Sequence, residues 1–168
     1  MKRLLTVALM VSLCLFMLMA CSGKTDDIAE ENTKSEMMCI LSVECKTAVE
    51  KNSEKQNILP SDGIIYKETQ VSIAEGDTVF DVLKREMQNN KIHLEYSMTP
   101  MYDNAYIEGI GNLYEFDCGE LSGWMFRVNG EFPGVGCSDV KVRNGDRIEF
   151  VYSCDMGRDV GKDRELTS

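Results

Sequence analysis

Histidine is nearly missing from this chain: its 168 residues contain one, His93. A His-rich zinc site needs two or three imidazoles, so that chemistry is excluded, and a Ser/His/Asp triad would rest on His93 alone. Basic charge is also short, with 18 Lys+Arg against 28 Asp+Glu and a net charge of −10. Binding to nucleic acid needs clustered Lys and Arg that release counterions, whereas the basic residues here are scattered and outnumbered. The seven cysteines include no CxxC pair, and Gly109-Ile110-Gly111 lacks the third glycine and the strand-to-helix context of a phosphate loop. The alternating ligand positions of a calcium loop are absent around Asp155 and Asp159, so a solvated C-terminal tail is expected there. Nothing in these residue types points to an enzyme.

The N-terminus carries the clearest signal. Lys2 and Arg3 precede an apolar run from Leu4 to Ala20, broken only by Thr6 and Ser12, which is the charged and then apolar order of a secretory leader. The run ends in Leu18-Met19-Ala20-Cys21, which resembles a bacterial lipobox with Cys21 as the lipidation site, although Met19 is bulkier than the residue usual there. The competing reading is an uncleaved transmembrane helix, but the run is at the lower limit for a span and no basic stop-transfer cluster follows. Either way the remainder is expected on the extracytoplasmic face, tethered to the membrane. Removing residues 1–20 leaves 16 basic against 28 acidic side chains, a net charge of −12. That surface is repelled by anionic lipid, so membrane contact should come from the anchor alone.

Residues 21–37 read as a disordered linker, since Ser22–Glu36 carries five acids, two lysines and one large aliphatic residue. Strand signals begin at Met38, where Cys39, Leu41, Val43 and Cys45 recur with a period of two. Lys46 to Gln56 is polar, and the turn cluster Leu59-Pro60-Ser61-Asp62-Gly63 leads toward a second strand at Val71–Ile73. Thr78 with Asp81 three residues on forms a capping-box variant, and Val79, Val82, Leu83 and Met87 share one helical face up to Asn89-Asn90. Strands are then expected over Ile92–Met98, with a solvated His93 on the polar side, at Ala105–Ile107, over Trp124–Val128 closed by Asn129-Gly130, and over Arg147–Ser153 after Asn144-Gly145. Strands on both sides of one main helix make an α+β pattern rather than repeated βαβ units.

Three separated segments resemble a known family. GDTVFDVL at 76–83, YIEGIGNLYEFDCGELSGWMFRVNG at 106–130 and GDRIEFVYSCD at 145–155 are similar to the bacterial transcobalamin-like C-terminal domain family, a domain of unknown function. The resemblance covers Met38 to Gly161 and implies a β-grasp-like (ubiquitin-like) mixed sheet with one main helix over 38–161, with 162–168 as a tail. It also implies cobalamin or another corrinoid as the candidate ligand, with no cofactor required. In vertebrate cobalamin carriers the similar domain closes over one face of the vitamin against a large helical barrel, which has no counterpart within these residues. Half a sandwich covers about half a ligand, so tight corrinoid binding would need a partner protein; the other reading is protein-protein interaction, or an accessory role to a transporter, on the cell envelope.

The candidate ligand-binding residues are Trp124, Phe126, Phe132 and Pro133. Trp124 is the only tryptophan and sits in a hairpin matching the family's Gly-Trp motif; it either covers a flat ligand or, with Phe126 and Val128, forms the inward face of a strand. Phe132-Pro133-Gly134 follows in a loop, where an apolar residue has less reason to be core. Beyond Cys21, the cysteines Cys39, Cys45, Cys118, Cys137 and Cys154 are odd in number. The family fold implies adjacent, parallel first and last strands, which would bring Cys45 and Cys154 together as a candidate disulfide with Cys118 nearby. A metal or redox site and buried free thiols are the alternatives.

Overall fold

The computed structural model describes residues 36–51, 57–99 and 104–162. The expected leader at 1–20, the lipidation site Cys21 and nearly all of the linker lie outside these residues.

Strand β1, Met38–Glu44, alternates as its sequence does: Cys39, Leu41 and Val43 point into the core and the residues between them lie partly exposed. Burying side chains such as Leu41 and Val43 contributes about 1.5–3 kcal/mol each. Cys45 ends the strand and starts a short helix, α1 (Lys46–Glu50), in the stretch expected to be loop. The turn at residues 59–63 reverses the chain into β2, Ile64–Ser72, a strand considerably longer than the Val71–Ile73 signal, antiparallel to β1.

Helix α2, Val79–Asn89, starts at Thr78 with a complete capping box: the Thr78 side chain accepts from the Asp81 N–H at 3.1 Å, and the Asp81 carboxylate accepts from the Thr78 N–H at 2.9 Å. Its buried face is Val79, Phe80, Val82, Leu83 and Met87. Strands β3 (Leu94–Thr99), β4 (Asn104–Ile110) and the two-residue β5 (Leu113–Tyr114) form an antiparallel sheet of their own. Strands β6 (Gly123–Val128) and β7 (Arg147–Ser153) return to the first sheet, whose order is β2-β1-β7-β6. The first and last strands, β1 and β7, are parallel neighbours, with Leu41 opposite Ile148 and Val43 opposite Phe150.

The architecture is therefore α+β with two sheets: the expected mixed sheet is the four-stranded β2-β1-β7-β6, and the correction is a second, antiparallel sheet, β3-β4-β5, in addition to it. The division has a physical cause: β4 and β5 are joined by Gly111 and Asn112, both at positive φ, which folds β5 back onto β4 rather than onto β6. A second correction concerns the C-terminal segment. Asp155 and Asp159 do not lie in a solvated tail: the Asp159 carboxylate accepts from the Ser153 hydroxyl at 2.5 Å and from the Cys154 N–H at 2.7 Å, and residues 158–160 form a 3-10 turn. Val151 is also buried, on the sheet face where alternation alone predicts exposure.

Candidate functional site

The hairpin after β6 turns at Asn129 (φ 54°) and Gly130 (φ 89°), the left-handed pair that an Asn-Gly turn requires. Reciprocal hydrogen bonds between Val128 and Glu131, at 2.9 and 3.1 Å, close it and send the chain into Phe132-Pro133. The segment that follows docks on the start of α2. The Val79 N–H donates to the Val140 carbonyl at 3.0 Å, the Phe80 N–H to the Cys137 carbonyl at 3.1 Å, and the Val142 N–H to the Asp77 carbonyl at 2.9 Å. The first N–H groups of a helix have no partner within it, and here the 137–142 segment accepts them. The Lys141 ammonium adds a bond to the Gly76 carbonyl at 2.7 Å.

Between these two walls lies a cleft of about 510 Å³. Val128, Phe132, Pro133 and Val140 supply its apolar surface, and Lys141, Arg143, Glu131 and Asp146 its charges. Asp146 is already committed to structure: it accepts from the Asn129 side-chain amide at 2.9 Å and from the Arg143 N–H at 2.7 Å. Phe132 and Pro133 are partly buried, while Val135 beyond them is 55% exposed. Apolar side chains beside a few charged groups are the composition of a ligand-binding cleft.

The four candidate ligand residues fall into two groups. Phe132 and Pro133 line the cleft; Trp124 and Phe126 do not. Trp124 spans the two hydrophobic clusters, its indole N–H donating to the Leu113 carbonyl at 2.8 Å and its ring meeting Tyr152 edge-on at 5.2 Å. Phe126 stacks on Phe150 at 5.7 Å. Both occupy the inward face of β6, opposite Tyr152 and Phe150 in register. Sequence reasoning missed Lys141 and Arg143 on the far wall, because nothing local marks them as neighbours of residues 128–133.

A second depression, about 350 Å³, lies over the polar side of the four-stranded sheet. Its charges are paired, Glu68 with Arg147 outside the lining and the others with one another. Arg127 grips Glu149 through two hydrogen bonds of 2.9 and 2.8 Å, and Glu44 pairs with Lys46. His93, half exposed, sits 2.9 Å from the Tyr114 hydroxyl and 3.5 Å from the Glu95 carboxylate. Among the described residues no group of three or more His, Cys, Asp or Glu side chains is placed to hold a metal ion.

The five described cysteines are free thiols, four of them buried and Cys118 partly exposed. Cys45 and Cys154 belong to one hydrophobic cluster, and Cys118 packs against it. Burial pushes the thiols of Cys39, Cys45 and Cys137 up to about 11 and that of Cys154 up to about 12, so these four are protonated at neutral pH.

No curated protein matches the chain. Among solved structures it is similar to haptocorrin in complex with Cbi, with 17% identity and a TM-score of 0.49 over 70% of this chain. The chain spans about a quarter of that protein's length, 25%. It is also similar to a candidate metal-binding protein from Ruminococcus gnavus ATCC 29149, with 16% identity and a TM-score of 0.44 over 70% of this chain and 97% of that one. The family described as Domain of unknown function (DUF4430) matches residues 76–153, a segment that contains every residue lining the larger cleft. Residues 76–153 are thus similar to the DUF4430 family, in keeping with the transcobalamin-like C-terminal domain family that the sequence motifs resemble.

Proposed function

We propose that this protein is a non-catalytic binding module, anchored by a lipid on Cys21 to the extracytoplasmic face of the membrane, whose cleft beyond the β6 hairpin takes a ligand. The observation that carries this reading is the position of Phe132 and Pro133: two rigid apolar side chains, partly buried, lining one wall of a cleft whose other wall carries Lys141 and Arg143. The family resemblance supports a corrinoid, cobalamin included, as the ligand. We read the fold as a β-grasp, supported by the β1-β2 hairpin, the single long helix and the parallel β1-β7 pair. An open cleft covers one side of a ligand, so a second protein would complete the site.

The test is an absorbance titration of the purified protein with cobalamin. A saturable spectral change that weakens about tenfold or more in Phe132→Ala supports the reading; no change at millimolar cobalamin removes the corrinoid. The anchor is tested separately. Cys21→Ala should leave the precursor uncleaved and without acyl label, and label retained on the mutant would place the lipid elsewhere.

A second reading, an envelope protein as partner, is favoured by a different surface. Phe116, Leu121 and Met156 are 60, 48 and 61% exposed, and backbone bonds from Phe116 to Ser122 and from Met156 to Leu121 hold their segments side by side. A photo-crosslinker at Phe116, in intact envelopes, should give one discrete adduct that a crosslinker at exposed Glu75 does not give.

A further inference from the structure

The loop around Cys118 is pinned to the end of β7 on both sides of Cys154. On the near side, the Tyr152 hydroxyl donates to the Tyr114 carbonyl at 2.7 Å and lies 3.0 Å from Ser122 Oγ, which in turn accepts from the Cys118 N–H at 3.0 Å. On the far side, the Met156 N–H donates to the Leu121 carbonyl at 2.9 Å. Tyr152 and Cys154 are two residues apart along the strand direction and so face the same way, toward this loop. Cys118 accordingly packs against the cluster that holds Cys154.

The expected partner, Cys45, is less well placed. The parallel register ends with Glu44 opposite Val151, which puts Cys45 level with Tyr152 and two residues short of Cys154. Strands about 4.8 Å apart with a rise of about 3.3 Å per residue then separate the Cα atoms of Cys45 and Cys154 by about 8 Å. A disulfide spans up to about 7 Å without backbone movement. Thr47, the second residue of α1, bonds through its hydroxyl to the Tyr152 carbonyl, at the level of Cys45.

We propose that Cys118 and Cys154 form a reversible disulfide, made by exchange with a low-molecular-weight disulfide, that fastens the loop bearing Phe116 and Leu121 to the end of β7. Cys118 reacts first because it alone of the three clustered thiols has solvent access. Deprotonated by water, its sulfur attacks one sulfur of the oxidant RSSR, breaking that S–S bond and releasing RS⁻, which takes up a proton. Cys154 then loses its proton and attacks the Cys118 sulfur of the mixed disulfide, expelling the second RS⁻ as RSH. Two protein thiols are oxidised by two electrons and RSSR is reduced to two RSH. Burial of Cys154 leaves it unreactive toward the bulk oxidant and confines it to this second, intramolecular step.

Trypsin makes the pairing legible. Cleavage after Lys and Arg places Cys118 in peptide 92–127, Cys137 in 128–141, Cys154 in 148–158, and Cys39 with Cys45 in 35–46. The full chain in its membranes is incubated with oxidised glutathione, alkylated, digested and mapped by mass spectrometry. The expected product is 92–127 joined to 148–158, lost on reduction and in Cys118→Ser, and retained in Cys45→Ser. In Cys154→Ser the exchange should stop at a glutathione adduct on 92–127. A link between 35–46 and 148–158, or recovery of Cys118 and Cys154 as alkylated thiols after oxidation, would overturn the proposal.

Discussion

The Trp124 indole N–H donates to the Leu113 carbonyl at 2.8 Å, tying β6 of the four-stranded sheet to β5 of the three-stranded one. The same ring packs against Tyr152 and both hydrophobic clusters. Its removal therefore empties a junction rather than a binding surface. Trp124→Ala should cost about 3 kcal/mol of unfolding free energy, and Trp124→Phe about 1 kcal/mol, chiefly for the carbonyl left without its donor. Urea denaturation reads both. An unchanged midpoint for Trp124→Ala would show that the junction does not depend on it.

Phe132 is the opposite case. It lies in a loop at the cleft, outside the buried cores. Phe132→Ala should weaken ligand binding by about 1–3 kcal/mol while moving the unfolding midpoint little. A large stability loss with unchanged affinity would reverse the roles of Phe132 and Trp124.

The start of α2 carries a pH signature. Hydrogen bonds from the Thr78 hydroxyl and N–H hold the Asp81 carboxyl below the usual carboxylate range. A carboxyl depressed in the folded state adds stability that is present above its unfolded pKa, about 3.9, and is lost as pH falls through the lower folded value. Asp81 is solvent-exposed, so screening keeps that contribution small. Thr78→Ala should cost about 1 kcal/mol at pH 7 and measurably less at pH 2. Equal costs at both pH values, read as urea midpoints, would detach the cap from Asp81 ionisation.

Gly63 is a backbone requirement. Its φ is 67°, its carbonyl accepts from the Cys45 N–H at 2.7 Å, and a Cβ there would stand 2.7 Å from the Lys46 Cα and 2.9 Å from its backbone nitrogen. Neither contact can relax by a rotamer change. Gly63→Ala should destabilise the β1-β2 connection by about 2 kcal/mol, and thermal unfolding checks it. A neutral result would mean that the turn can reorganise away from α1.

Much of this architecture was legible locally. The period-two burial of Cys39, Leu41 and Val43, the capping box at Thr78 and the Asn129-Gly130 turn are each set by residues within a few positions of one another. The parallel β1-β7 pairing came from the family resemblance. The residues at 46–50 read as polar loop because their helix buries only Ala48 and is held from outside, by contacts such as the Lys51 bond to the Cys154 carbonyl. The site was half legible. Phe132 and Pro133 stood out as rigid apolar residues in a Gly-rich loop, but their partners on the other wall did not.

Local chemistry by itself determined most of the elements, α1 and the length of β2 excepted: alternation, caps and turn residues act through near neighbours and need no knowledge of the rest of the chain. The acidic balance and the scarcity of histidine likewise bounded the function before any fold was known. The tertiary structure decided what long-range packing alone can decide. It seated the 137–142 segment on the unpaired N–H groups of α2 and so built the second wall of the cleft. It turned Trp124 inward to serve the junction of the two sheets. It carried β7 past the end of β1, so that Cys154 lies beyond the level of Cys45, in the cluster against which Cys118 packs. Each outcome follows from a contact between residues far apart in sequence, whose closure depends on the whole core and leaves no periodic trace in either partner.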